Sequence, residues 1–107
     1  GAAVSGARGW NAYSISKAAL NMMILLYSKE IPKTHFTAVA PGVIDTGMQE
    51  YIYGLPEEKH FPVVKRLREM RENGEMLSPE EAAKNLARVI PMLMHHESGA
   101  FIDVRDF

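Results

Sequence analysis

From Asn11 to about Glu30 the chain carries apolar residues without an intervening glycine or proline, and Ala, Leu and Met dominate, which predicts a long helix. Its apolar positions are Ile15, Ala18, Ala19, Leu20, Met22, Met23, Ile24, Leu25 and Leu26, an arc wider than one face, so burial on more than one side is expected. Pro32 closes the helix, because the residue before a proline is pushed out of helical geometry. A short run from His35 to Ala40, with Phe36, Thr37 and Val39, reads as a buried strand stopped by Pro41 and Gly42. The next stretch, 43–62, is broken by Gly47, Gly54, Pro56 and Pro62 yet carries Met48, Tyr51, Ile52, Tyr53, Leu55 and Phe61, the pattern of an irregular segment that closes over something.

A charged amphipathic helix is predicted from about Val63 to Glu72, ending near Gly74. A second long helix is announced by Ser78 as cap, Pro79 in the first turn and Glu81 completing a capping box, with Gly99 beyond its end. Ala82, Ala83, Leu86, Val89, Ile90 and Leu93 follow helical spacing, and Pro91 is expected to kink or loosen the last turns. Phe101, Ile102 and Val104 predict a final short strand. Helices alternating with buried strands indicate a parallel α/β sheet. Two strands are too few for one, so further strands are expected from elsewhere.

Composition narrows the partners. At 107 residues the chain is at most one small domain, and a formal net charge of −1 with interspersed signs leaves no electrostatic footprint for nucleic acid or an anionic membrane surface. There is no cysteine, which removes disulfides, thiolate nucleophiles and cysteine-based zinc sites. His95 and His96 are sequence neighbours aimed at different faces of a helix, so no metal site is expected, and histidines near a helix end suit its negative dipole end. No apolar run is long enough to span a bilayer and no signal-peptide pattern opens the chain, so a soluble, cytoplasmic protein is expected. The opening "GAAVSGARGW" is loop-like and begins without methionine, which suggests a piece of something longer.

Candidate chemistry begins at Tyr13 and Lys17. Four apart on a helix, they share a face, so an ammonium can sit beside a phenol. An unperturbed tyrosine titrates near ~10, and a close cation favours the phenolate, so the pair can serve as a proton donor and its tuner. Spacing alone also permits a chance pair on a helix face.

Three features in order, Tyr13-Ser14-Ile15-Ser16-Lys17 with "SKAAL" following, "APGVIDT" after the next strand and the closing "SGAFIDV", resemble the C-terminal half of short-chain dehydrogenases/reductases, over essentially all of the chain. "APGVIDTGMQ" looks more like the sepiapterin-reductase and benzil-reductase branch. The resemblance implies the C-terminal portion of a doubly wound, parallel-sheet (Rossmann-like) α/β domain, residues 1–107 forming its second half, and an NAD(P)H-dependent oxidoreductase that interconverts a carbonyl and an alcohol.

It further implies residue roles. Tyr13 would be general acid or base, and Lys17 would tune it and hydrogen-bond the nicotinamide ribose. The backbone of Pro41, Gly42, Val43 and Ile44 would approach the nicotinamide, and Thr46 would add a hydroxyl contact, although Thr46 also suits a helix cap. NADP is favoured over NAD as cofactor. Trp10, Met48, Tyr51, Tyr53 and Phe61, in or beside a substrate loop over about 46–77, are candidates for contact with a small carbonyl or alcohol substrate, or else pack that insertion onto the body. A homo-oligomer, dimer or tetramer, is implied through the first helix; burial under an N-terminal half of the same domain competes for that face. The family's catalytic serine falls one residue before Gly1, and Ser5 stands at the wrong spacing. The glycine-rich cofactor turn is also absent from the chain, so a whole protein of roughly twice this length is expected. The alternative is a catalytically silent module that self-associates through its apolar helix faces.

Overall fold

A computed structural model describes residues 11–48, 51 and 62–107. Helix α1 spans Asn11–Glu30 and ends as expected: Ile31 N donates to the Tyr27 carbonyl at 2.8 Å before Pro32 interrupts the pattern. Burial differs from expectation. Ile15 is 69% exposed, Met22 53% and Leu26 51%, and among the described residues nothing buries that side of α1.

Strand β1, Ala38–Ala40, pairs in parallel with β2, Phe101–Asp103, in the register Ala38↔Phe101, Val39↔Ile102 and Ala40↔Asp103. Both strands are shorter than the sequence suggests. Residues before Ala38 are held by a turn instead of a ladder, with Gly99 N donating to the Phe36 carbonyl at 2.8 Å and Phe36 N donating to Ser98 Oγ at 3.0 Å. Val104 leaves the strand to open a short 3-10 turn, Val104–Asp106, capped by the Asp103 carboxylate. Gly99 takes φ +93°, and a Cβ there would collide with Ser28 and press on Leu25 of α1, so this glycine is what lets the helix lie against the lead-in to β2.

Helix α2, Pro62–Glu72, closes with a Schellman motif: Glu75 N donates to the Met70 carbonyl at 2.8 Å and Gly74 N to the Arg71 carbonyl at 3.1 Å, with Gly74 at φ +69°. Helix α3, Pro79–Val89, opens on the reciprocal pair expected, Glu81 N to Ser78 Oγ and Ser78 N to Glu81 Oε2, each 3.2 Å. It tightens into a 3-10 helix, Ile90–His95, at Pro91, which has no N–H to continue the α pattern. His95 ends that 3-10 helix, and the adjacent His96 ring meets Phe107 edge-on, with centroids 5.7 Å apart. The core lies between α3, the 3-10 segment and the sheet: Val89, Leu93 and Val104 are buried, with Val39, Leu86, Met92 and Ile102 packed against them.

Parallel pairing puts the carboxyl ends of β1 and β2 on one edge of the sheet, so Pro41-Gly42 and the Asp103–Arg105 segment emerge side by side.

Candidate active site

Tyr13 and Lys17 both sit in the opening turns of α1, on one face as their spacing requires. The Lys17 ammonium nitrogen lies 5.5 Å from the centre of the Tyr13 ring, within cation–π range. Tyr13 is half-buried and Lys17 exposed, so the ring is held while the ammonium stays accessible. The N-terminus of α1 carries the helix's partial positive charge, and its first turn has no acidic residue. Ser16 Oγ donates to the Tyr13 carbonyl at 2.7 Å. Beside Tyr13, Ser14 Oγ is buried without a hydrogen-bond partner, as are His35 Nε2 and Thr37 Oγ1; groups of this kind require partners.

The second part of the site follows β1. Gly42 turns the chain at φ +93°, and since a Cβ there would meet Leu77 Cδ1 at an ordinary 3.7 Å, backbone conformation and not crowding demands the glycine. The segment then pairs with the chain entering α3: Leu77 N donates to the Val43 carbonyl at 3.0 Å, Asp45 N donates to the Leu77 carbonyl at 2.8 Å, and Ile44 bridges Leu77 in parallel. Pro41, Gly42, Val43 and Ile44 are half-buried, whereas Thr46 is exposed immediately before helical Gly47 and Met48. Of the substrate candidates, Met48 is 44% and Tyr51 71% exposed. Trp10, Tyr53 and Phe61 lie outside the described residues.

Among the described residues, the Asp45–Arg71 and Asp103–Arg105 ion pairs were missed in the sequence. Arg71 Nε stands 3.6 Å from Asp45 Oδ1, joining the end of α2 to the Pro-Gly segment, and no local spacing announces that contact. Arg105 Nε reaches Asp103 Oδ1 at 2.9 Å and Oδ2 at 3.2 Å. This pair had a signal, since residues two apart share a face of a strand. The Arg105 hydrogen bonds pull the Asp103 carboxyl down to about 2, against partial desolvation that pushes the other way. Among the described residues no group of three or more histidines and carboxylates could hold a metal, and no helix is long and apolar enough to cross a membrane.

No family model matches the chain. It is 32% identical to a benzil reductase ((S)-benzoin forming) of Bacillus subtilis, over all of this chain and 44% of that protein. It is 31% identical to the sepiapterin reductase of Bos taurus, over 92% of this chain and 36% of the relative. Among solved structures, a short-chain dehydrogenase/reductase from Saccharomyces cerevisiae superposes with a TM-score of 0.78 at 27% identity, covering 98% of this chain and 43% of its own. The KRED1-Pglu enzyme gives the same TM-score of 0.78 at 29% identity, with 95% and 43% covered. The chain thus spans less than half the length of the relatives it matches.

Proposed function

The chain belongs to the short-chain dehydrogenase/reductase family and has part of its Rossmann-like α/β fold; from that premise we propose that it is the C-terminal half of an NAD(P)H-dependent oxidoreductase reducing a ketone or aldehyde to an alcohol, or running the reverse. The observation that carries the reading is the Lys17 ammonium 5.5 Å from the Tyr13 ring in the first turns of α1.

The residues present suit the nicotinamide end of such a cofactor. Gly42 leaves the backbone bare at a strand's carboxyl end, Lys17 offers an accessible ammonium, and Thr46 offers an exposed hydroxyl. When bound, the nicotinamide nucleotide supplies hydride to the carbonyl carbon. Tyr13 donates its phenolic proton to the carbonyl oxygen, which stays on carbon as the alcohol hydroxyl, and the phenol is left as phenolate. Lys17 stabilises that phenolate by charge and donates to the ribose hydroxyls. The Pro41–Ile44 backbone orients the ring. Met48 and Tyr51 flank the substrate. NADP is favoured over NAD, the setting is the cytoplasm, and α1 joins two copies in a homo-oligomer.

The names of the relatives suggest flat aromatic dicarbonyls and pterins as first substrates. The test is to titrate NADPH fluorescence with the protein that carries this chain, then follow NADPH oxidation with benzil and with sepiapterin. Saturable binding and carbonyl-dependent oxidation are expected; a protein that binds neither NADPH nor NADH would overturn the reading. The exposed apolar side of α1 favours one second reading, a catalytically silent module that self-associates, for which the same titration would show no binding while sedimentation shows association.

A further inference from the structure

The Pro-Gly segment is closed into a ring with the end of α2. Asp45 meets Arg71 at 3.6 Å, the Schellman turn fixes Met70 and Arg71 against Gly74 and Glu75, and Leu77 returns to Val43 and Asp45 through hydrogen bonds of 3.0 and 2.8 Å. A ladder of two hydrogen bonds is weak alone, and β1 ends at Ala40, before this segment begins. Among the described residues the Asp45–Arg71 contact adds a side-chain link to this circuit, and it is partly shielded, with Arg71 26% and Asp45 42% exposed.

We propose that Asp45 and Arg71 are positioning residues that set the Pro41–Ile44 backbone from the end of α2, so that cofactor affinity depends on where α2 sits. This rests on the assignment of that backbone to the nicotinamide. Neither side chain touches the reacting atoms in the proposal. Their effect passes through Val43 and Leu77, and since α2 belongs to the substrate loop, substrate and cofactor affinities become reciprocally coupled through the same link.

The test compares Asp45→Asn, Arg71→Leu and Arg71→Lys in the protein carrying this chain, with two readouts: NADPH affinity by fluorescence, and amide exchange at Leu77 without cofactor. For a half-exposed ion pair the expected loss is about fivefold in NADPH affinity for Asp45→Asn and Arg71→Leu, with exchange at Leu77 accelerated by a similar factor. Arg71→Lys should stay near the parent, and the charge swap Asp45→Arg with Arg71→Asp should restore most of the loss in both readouts. A merely structural pair would accelerate Leu77 exchange and leave NADPH affinity unchanged, which overturns the proposal; unchanged exchange overturns it too. If the unmodified protein binds neither NADPH nor NADH, the functional reading itself fails and takes the coupling with it, a result distinct from normal parent binding with unaltered variants.

Discussion

Lys17 holds its ammonium 5.5 Å from the centre of the Tyr13 ring, one turn further along α1. An exposed cation beside a half-buried phenol lets the phenol face a substrate without losing its charge partner. If Tyr13 is the proton donor, Tyr13→Phe keeps the ring and removes the hydroxyl that carries the transferable proton. Turnover should fall at least ~100-fold while NADPH affinity stays within about twofold. Steady-state kinetics alongside fluorescence titration measures both, and surviving turnover would show that Tyr13 is not the acid.

Lys17 has two proposed tasks, so its removal should show in two quantities. Lys17→Ala is expected to lower turnover by at least ~10-fold and to weaken NADPH binding as well. Unchanged cofactor affinity would remove the ribose contact from the account and leave only the charge effect.

Gly99 lies directly against Ser28 and Leu25 of α1. Gly99→Ala must place a Cβ against Ser28 and Leu25 at a backbone φ of +93°, which should cost at least ~2 kcal/mol in denaturant unfolding. Adding Ser28→Ala removes the hydroxyl but not the Cβ, so only part of the loss should return. Full stability in the single variant would mean that α1 does not pack there.

The Asp103–Arg105 pair makes stability depend on acid. Asp103 has its carboxyl lowered from 3.8 to about 2, so its contribution is complete above about pH 4 and disappears as pH falls through about 2. Arg105 is 58% exposed, and solvent screening keeps the effect on the order of 1 kcal/mol or less. Asp103→Asn should flatten the unfolding free energy between pH 4 and pH 2; an unchanged profile would assign the acid sensitivity to other carboxylates.

Local chemistry was legible wherever the cause lay within a few residues. The Ser78–Glu81 box, the Gly74 stop and the break at Pro91 are each set by backbone groups near those side chains, so they stand where the sequence put them. The Tyr13–Lys17 pair belongs to the same class, because helical pitch alone brings residues four apart together. Strand length was not legible: Phe36 and Thr37 read as strand, but Gly99 and Ser98 capture the backbone at Phe36 before the ladder begins. The breadth of the apolar arc on α1 was read correctly as a pattern, yet burial is a property of neighbours, and among the described residues these lie on one side only.

By itself, then, the order of residues determined the helices with their caps, the alternation that makes a parallel sheet and the pairing of an ammonium with a phenol, since all of these follow from short-range sterics and pitch. Tertiary structure alone decided that Arg71 would meet Asp45, that Leu77 would brace the Pro-Gly backbone and that the Pro-Gly and Asp103–Arg105 segments would share one edge. Contacts between distant segments are chosen by the packing of whole elements, and no local rule of spacing encodes them.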